Sequence, residues 1–220
     1  MNQQDIKNDI LARIRSGKPE ATPLPDVPMY AFNGNPLDHF ISQLLSFDGN
    51  AVKFRTRDDA VAWLKTRPEM DAANQTIYSS ATGVDGNFGE DELTDLHNAH
   101  KINTCVTESS LGVGEMGSVW VTDESLGHAA CALLSQHLFI FLDSEKIVGG
   151  LHETYATLHL ADHQYGSFYT VPSATADIEA VHITGAQGPL SLTVLLYNIP
   201  DASATPELLT NPDADTSVWQ

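Results

Sequence analysis

The run from Leu138 to Leu142 limits the fold most strongly, because all five of its residues are large and apolar. A short apolar run of this kind is typical of a strand buried inside a sheet. Other β-type runs alternate with helical segments of about ten residues along most of the chain. This alternation predicts a three-layer α/β domain in which a mixed, mostly parallel sheet is flanked by helices.

Apolar periodicity and capping residues place the individual elements. The predicted helices cover residues 4–15, 37–45, 56–67, 126–134 and 148–160. The predicted strands cover residues 51–54, 75–78, 102–107, 118–122, 138–142, 167–171, 180–184 and 192–197. The last three strands follow one another closely, which predicts a partly antiparallel segment near the end of the chain.

Two terminal segments flank the predicted body at residues 37–200. The first helix has apolar residues at helical spacing, and the segment 17–36 after it holds five prolines, which predicts an extended connection. We therefore expect residues 1–36 to form an arm that packs on the domain or on a partner subunit. Residues 201–220 are polar and acidic and are expected to form an exposed extension.

Acidic residues outnumber basic residues by 29 to 11, which gives a formal net charge of −18. Binding to nucleic acids or to anionic membranes requires lysine and arginine, so the charge argues against both partners. Ten of the eleven basic residues lie at or before Lys101, and only Lys146 lies beyond Leu111. An anion bound by the second half must therefore use backbone N–H groups, hydroxyl groups, Lys146 or residues of the first half.

Cys105 and Cys131 both lie in apolar runs, which predicts buried, reduced and unreactive thiols. Two cysteines are too few for an iron–sulfur cluster, which takes about four thiolate ligands. The N-terminus lacks an apolar signal core, and no apolar run reaches the roughly 18 residues of a membrane span. The sequence therefore predicts a cytoplasmic protein with no cofactor of its own.

The segment from Gly112 to Gly117 matches the dinucleotide-binding pattern G-x-G-x-x-G. This pattern binds a pyrophosphate when a helix follows it, because the helix N-terminus then faces the phosphates. Here a β-type run follows, from Ser118 to Thr122. The segment is therefore predicted to be a glycine-rich turn into a strand, and no nicotinamide cofactor is expected.

Glu115 is the candidate catalytic residue, since it lies in a loop beside a strand end, where α/β domains place their chemistry. Its carboxylate suits a general base, a nucleophile or a hydrogen-bond acceptor. The structural alternative is a carboxylate that accepts hydrogen bonds from the amides of its own turn.

Two histidine pairs have spacings that suit zinc, His97 with His100 and His159 with His163. Neither pair lies in an H-E-x-x-H motif or beside paired cysteines. Solvated or core histidines are the better interpretation, and no metal site is predicted.

A denser polar cluster runs from Ser173 to Glu179 and includes Thr175 and Asp177. Hydroxyl groups followed by carboxylates at this spacing suit a helix cap or an Asx-type turn. The same groups suit a ligand-binding loop, so both interpretations stay open.

Three parts of the chain together resemble the lactate-utilisation (LUD) domain family. Ile10-Leu-Ala-Arg-Ile-Arg15 is similar to the family's N-terminal helix, and Gly114-Glu-Met-Gly-Ser118 stands where the family carries A-E-T-G-T. Pro172-Ser-Ala-Thr-Ala-Asp-Ile-Glu179 and Gly185-Ala-Gln-Gly-Pro189 resemble the family's G-P-S-R-T-A-D-I-E and G-x-H-G-P-R stretches. Their order and spacing agree over roughly residues 37–200.

The chain departs from the family pattern at three charged or titratable positions. Ala174 and Leu190 stand where the family has arginines, and Gln187 stands where it has a histidine. Because alanine and leucine cannot clamp a carboxylate as arginine does, an anion must be held differently here or not at all. The resemblance is therefore to a divergent branch.

The resemblance implies a ligand site at the shared motifs, with Glu115 as its catalytic candidate. The ligand-binding candidates are Gly114, Gly117, Ser118, Ser173, Thr175, Asp177, Glu179 and Gly188. It also implies a fold similar to that of sugar-phosphate isomerases and CoA-transferases.

The family is associated with the oxidation of L-lactate to pyruvate, alongside partner proteins that carry iron–sulfur clusters. The resemblance thus implies a non-redox subunit or accessory factor with iron–sulfur protein partners. One alternative is an independent enzyme of acyl, CoA or phosphosugar chemistry that uses Glu115. The other is a regulatory module that binds a small carboxylate or acyl ligand, and homo-oligomerisation is left open.

Overall fold

The structure is a computed structural model that describes residues 2–20, 22–23, 25–26, 28, 32–89, 91–170, 172, 174–177, 183–185 and 188–212. The chain divides into two compact units, residues 1–30 and residues 31–220. Helix α1 (Gln3–Ser16) belongs to the first unit, and the sheets belong to the second.

Helix α1 begins at a capping box. The Asn2 side chain accepts a hydrogen bond from the Asp5 backbone N–H, and the Asp5 carboxylate accepts one from the Asn2 N–H. The helix predicted over residues 4–15 is thereby confirmed. None of the residues of α1, which the structure describes in full, is buried, and its isoleucines are 44–56% exposed. The packing of this arm on a domain or partner stays a prediction.

The second unit alternates short helices and strands. Its helices are α2 (Pro36–Ser46), α3 (Arg57–Leu64), α4 (Asp123–Leu126), α5 (Ala129–Leu134) and α6 (Leu151–Thr157). Its strands are β1 (Asn50–Lys53), β2 (Ile77–Ser79), β3 (Thr104–Ser109), β4 (Leu111–Val113), β5 (Ser118–Thr122), β6 (His137–Asp143), β7 (Ile147–Val148), β8 (Gly166–Tyr169), β9 (Ala174–Thr175), β10 (Ile183–Thr184), β11 (Ser191–Tyr197) and β12 (Leu208–Leu209). Short 3-10 segments lie at Pro68–Met70, Glu92–Thr94, Leu96–Lys101, Ser144–Lys146 and Leu160–Asp162.

The larger sheet has the strand order β12-β1-β11-β6-β3-β2. Strands β1, β11, β6, β3 and β2 run parallel, and the short edge strand β12 runs antiparallel to β1. The apolar strand β6 lies inside the sheet and pairs with β11 from His137 opposite Ser191 to Asp143 opposite Tyr197. The predicted α/β fold, with a mixed and mostly parallel sheet flanked by helices, is confirmed.

Side chains of β6 alternate between the two faces of this sheet, and each face has its own core. Leu138, Ile140 and Leu142 pack with residues of α2, α4, α5 and the smaller sheet. Phe139 and Phe141 pack on the opposite face with residues of α3. The layered arrangement follows from this alternation, because both faces of an apolar strand need cover.

The smaller sheet has the strand order β7-β4-β5-β8. Strands β4 and β5 form an antiparallel hairpin, to which β8 adds antiparallel and β7 adds parallel. Strands β4 and β7 have three and two residues, which is too short for apolar periodicity to reveal them. The sequence therefore predicts β5 and β8 of this sheet but misses its other strands.

Two predicted helices are wrong in extent. Of the helix predicted over residues 126–134, only Leu126, which ends α4, and α5 (Ala129–Leu134) are helical, because Gly127 at φ +66° separates the two helices. The helix predicted over residues 148–160 is shorter, because Gly149 and Gly150 precede α6 and Leu158 has an extended conformation.

The antiparallel character predicted for the late strands is confirmed in part. Strands β9 and β10 pair antiparallel, and so do β12 and β1. The strand predicted over residues 192–197 is β11, which is a parallel strand inside the larger sheet. Of the strand predicted over residues 180–184, residues 180–182 lie outside the described residues.

Replacement of Gly117 by alanine should destabilise the fold. Gly117 ends the β4–β5 turn at φ +61°, and a Cβ there would clash with the backbone of Leu44 in α2. The left-handed conformation and the clash together should lower the free energy of unfolding by more than about 2 kcal/mol, measured by urea unfolding. Gly89 is exposed, and a Cβ there would meet Glu92 Oε2 at an ordinary contact distance of 3.7 Å, so Gly89→Ala should change the free energy of unfolding by less than about 0.5 kcal/mol. Equal effects of the two substitutions would contradict this account.

Candidate functional site

The glycine-rich segment forms the turn between β4 and β5, and the prediction of a turn into a strand is confirmed. A Cβ at Gly114 would lie 2.9 Å from the Pro36 carbonyl oxygen. Close packing therefore accounts for Gly114 as it does for Gly117. Because strand β5 follows the turn, the glycine motif does not lead into a helix as it does in dinucleotide-binding folds. Ligand binding by these two glycines stays a prediction.

Glu115 is exposed and its carboxylate is used at the start of α6. Its Oε2 accepts a hydrogen bond of 3.0 Å from the Leu151 backbone N–H, and its own N–H donates to the Gly149 carbonyl at 2.8 Å. Glu153 Oε2 also accepts from the Gly149 N–H, at 3.1 Å. Two carboxylates thus bind amides at this helix start, a position where negative charge is stabilising. Glu115 is thus a hydrogen-bond acceptor, as one interpretation of the sequence suggested, but the amide it binds belongs to α6 and not to its own turn. Catalysis by Glu115 stays a prediction.

The polar cluster that begins at Ser173 is described only in part. Thr175 lies in β9, and its Oγ1 accepts a hydrogen bond of 3.2 Å from the Asp177 backbone N–H. Asp177 itself is exposed. This local bond is the turn that the sequence suggested as one of two interpretations. Ser173 and Glu179 lie outside the described residues, and the ligand-binding role of the cluster stays a prediction.

Of two other predicted ligand-binding residues, Gly188 lines an apolar groove of about 370 Å³, whereas Ser118 is fully buried. Gly188 lines the groove, and Ser118 supports its wall through a 2.6 Å hydrogen bond between Ser118 Oγ and Thr170 Oγ1. The groove lies between the amino ends of β6 and β11, helix α5 and strand β8. Leucines from α5, β6 and β11 form much of its apolar wall. Every described residue that lines it is uncharged.

Tyrosine, serine and threonine side chains are the polar side chains among the residues that line this groove. The Tyr165 and Tyr169 hydroxyl oxygens lie 3.1 Å apart and share a hydrogen bond. Burial raises the pKa of Tyr169, and its hydrogen bond with Tyr165 raises it further, so the hydroxyl stays protonated near neutral pH. Ser167 and Thr170 supply two more hydroxyls to the lining.

A charged pair that the sequence did not predict lies at the opposite end of the larger sheet, where the parallel strands end. Arg57 Nη2 donates to Glu108 Oε1 at 2.5 Å and to the Thr82 carbonyl at 2.7 Å. The Thr82 N–H donates to the same Oε1 at 2.6 Å, and the guanidinium lies 4.9 Å from the centre of the Phe141 ring. Because Glu108 neutralises Arg57, this guanidinium is not a free clamp for an anion.

Acidic surroundings at this edge reinforce that conclusion. Burial raises the pKa of Tyr197, and the nearby carboxylates of Asp143 and Glu108 raise it further against the opposing effect of Arg57. Arg57 follows β1 and Glu108 lies near the end of β3, and the carboxyl ends of parallel strands share one edge. The sequence could have indicated that each residue lies at or just after the end of a strand. It does not reveal the strand order that brings Arg57 and Glu108 together.

A wider pocket of about 500 Å³ lies beside α3 and is lined in part by Arg55, Asp59 and Trp63. Arg55 Nε donates a hydrogen bond of 2.9 Å to the Ala202 carbonyl. None of the residues predicted to form the site lies in this pocket, so its size does not make it the better candidate.

Both thiols are fully buried, as predicted. Cys105 lies in β3 and Cys131 in α5, and neither has exposed surface. Burial raises the pKa of both thiols, and it brings that of Cys131 to about 11. Thiolates are the form that binds metals and reacts with electrophiles, so these cysteines are suited to neither role.

In each of the two histidine pairs, one histidine lies beside an aspartate carboxylate. His97 Nδ1 lies 2.8 Å from Asp95 Oδ1, and His163 Nδ1 lies 3.9 Å from Asp123 Oδ1. Within the described residues, no group of three or more His, Cys, Asp or Glu side chains is arranged to hold a metal ion.

Among the helices that the structure describes, none has the length and apolar character needed to cross a bilayer.

Replacement of Glu115 by alanine should weaken the start of α6. Loss of the carboxylate acceptor leaves the Leu151 N–H without this bond, and the free energy of unfolding should fall by about 1 kcal/mol. Glu115→Gln keeps an acceptor oxygen and should recover most of that loss. Glu207→Ala, at an exposed glutamate outside the helices, is the control for urea unfolding. Unchanged stability in Glu115→Ala would show that the bond contributes little.

The native protein should resist alkylation at both cysteines. With a pKa of about 11, Cys131 has only about one thousandth of its thiol ionised at pH 8, and burial also blocks access. Intact mass spectrometry after iodoacetamide treatment should show no adduct on the folded protein and two adducts in guanidinium chloride. Rapid modification of either cysteine in the folded protein would contradict the buried assignment.

Comparison with known proteins places these features in a family. The crystal structure of a DUF162 family protein from Deinococcus radiodurans matches the structure with a TM-score of 0.55 and 12% sequence identity, over 74% of this chain and 96% of that chain. At this identity the match shows the fold alone. No curated protein matches the chain. The family model of the LUD domain matches residues 38–197, which is most of the sequence, and the protein therefore belongs to the LUD domain family.

Proposed function

We propose that this protein is a non-redox accessory component of L-lactate utilisation that works with iron–sulfur partner proteins. The protein belongs to the LUD domain family, which is associated with lactate utilisation, and this supports a role in that process. The chemistry of the chain's own side chains supports the accessory role.

The buried state of both thiols is the observation that carries the proposal. Oxidation of lactate to pyruvate releases two electrons, and an iron–sulfur cluster that receives them takes about four thiolate ligands. The chain has two cysteines, both without exposed surface and both with raised pKa values. Clusters that serve the reaction would therefore be held by other chains.

The charges at the candidate sites favour the same role. A lactate carboxylate is held best by charged donors such as a bidentate arginine. The groove beside Ser118 and Gly188 has no charged residue among its described lining. At the other end of the sheet, Arg57 is already paired with Glu108. Neither place offers a free guanidinium that could bind the lactate carboxylate. This favours a role in which the chain assists an oxidising partner over one in which it binds lactate itself.

Deletion of the gene in the source organism tests the proposal. The deletion strain should no longer grow on L-lactate as sole carbon source but should still grow on pyruvate, because the deletion blocks the step that forms pyruvate from lactate. A plasmid copy with both Cys105→Ala and Cys131→Ala should restore growth on lactate as well as the unaltered gene does, since neither thiol is needed for electron transfer. Western blotting of both copies controls for protein level.

Two results would overturn this function. Normal growth of the deletion strain on L-lactate, together with isolation of the native protein as a lone monomer, would remove the lactate role. L-Lactate oxidation by the purified protein alone, with an artificial electron acceptor, would show that the chain is the dehydrogenase itself.

A further inference from the structure

We propose that the groove between α5, β8 and the amino ends of β6 and β11 is a binding site for an uncharged small molecule with an apolar, ring-sized body and one hydrogen-bonding oxygen. This site goes beyond the accessory role and does not depend on it. It is argued from the size, the charge and the hydroxyl groups of the groove.

The size of the groove suits a small ligand. Its volume of about 370 Å³ falls within the range of roughly 300–1,000 Å³ that is usual for ligand pockets. Leu133, Leu138 and Leu192 line it together with Pro189 and residues of β8. Tyr165 and Tyr169 pack against the buried core, so this wall of the groove is supported from behind.

The charge of the groove selects the class of ligand. The chain has 40 charged residues, from 11 basic and 29 acidic ones, yet no described lining residue is charged. A charged ligand would lose its hydration there without gaining an ionic partner, which is unfavourable. An uncharged ligand loses much less hydration and gains the contact area of the leucines and aromatic rings.

The tyrosine pair supplies the specific contact. In a hydrogen-bonded pair of hydroxyls one O–H is used by the other oxygen, so one O–H remains available. The Tyr165–Tyr169 pair at 3.1 Å therefore keeps a donor for a ligand oxygen, as well as acceptor capacity. Thr170 is already bonded to Ser118, which leaves the tyrosines as the better partners for a ligand.

A pair of probes that share one ring system tests the charge preference. 2-Naphthalenemethanol is uncharged and 2-naphthoate is an anion, and both can be titrated against the full-length protein by their fluorescence. The alcohol should bind with a Kd at least about tenfold lower than that of the carboxylate. Tyr169→Phe should weaken binding of the alcohol severalfold, while Tyr155→Phe, at an exposed tyrosine outside the groove lining, should not.

A matched pair of arginine substitutions tests the location. Leu133 lines the groove and is 42% exposed, whereas its neighbour Leu134 is 47% exposed and does not line it. Leu133→Arg should reverse the preference toward 2-naphthoate, because it introduces the missing cation. Leu134→Arg should leave the affinities unchanged. Thermal unfolding of both variants checks that the fold is kept, which two exposed positions should allow.

Three outcomes would overturn the site. They are no saturable binding of the alcohol, equal affinity for the alcohol and the carboxylate, and equal effects of the two arginine substitutions. Because the titrations use purified protein and no lactate, they decide the site separately from the growth experiment on lactate utilisation.

Discussion

Burial of strand β6 on both of its faces is the constraint on which the other layers depend. Its apolar residues lose their stabilisation wherever either face meets water. Helix α3 covers the face of the phenylalanines, while α2, α4, α5 and the smaller sheet cover the face of the leucines. Strands β3 and β11 pair with its two edges, so its backbone groups are also satisfied. Each surrounding layer thus protects the same central strand.

The turn between β4 and β5 shows how a motif that suggests chemistry can serve packing. Gly114 and Gly117 let the turn approach the start of α2 and its later backbone. Glu115 then joins the turn to α6 through the Leu151 amide. The smaller sheet is therefore fastened to two helices through one short turn. A carboxylate in a glycine-rich loop is explained here by geometry before any reaction is invoked.

Local patterns sufficed for the features that depend on neighbouring residues. The run from Leu138 to Leu142 predicted β6, and Thr56 predicted the start of α3, where a capping box with Asp59 is present. Patterns failed where distant residues meet. Arg57 and Glu108 are 51 positions apart, and Glu115 and Leu151 are 36 apart. The groove is likewise assembled from elements of both sheets, so its uncharged lining becomes visible only after folding.

The groove and the Arg57–Glu108 pair lie at opposite ends of the parallel strands. A seven-residue strand such as β6 spans about 20 Å, which is longer than a small metabolite. No single small ligand therefore touches both places. Residues at one end of the sheet can accordingly be substituted while those at the other end are kept. A protein with this fold can thus lose a binding site at one end and gain one at the other.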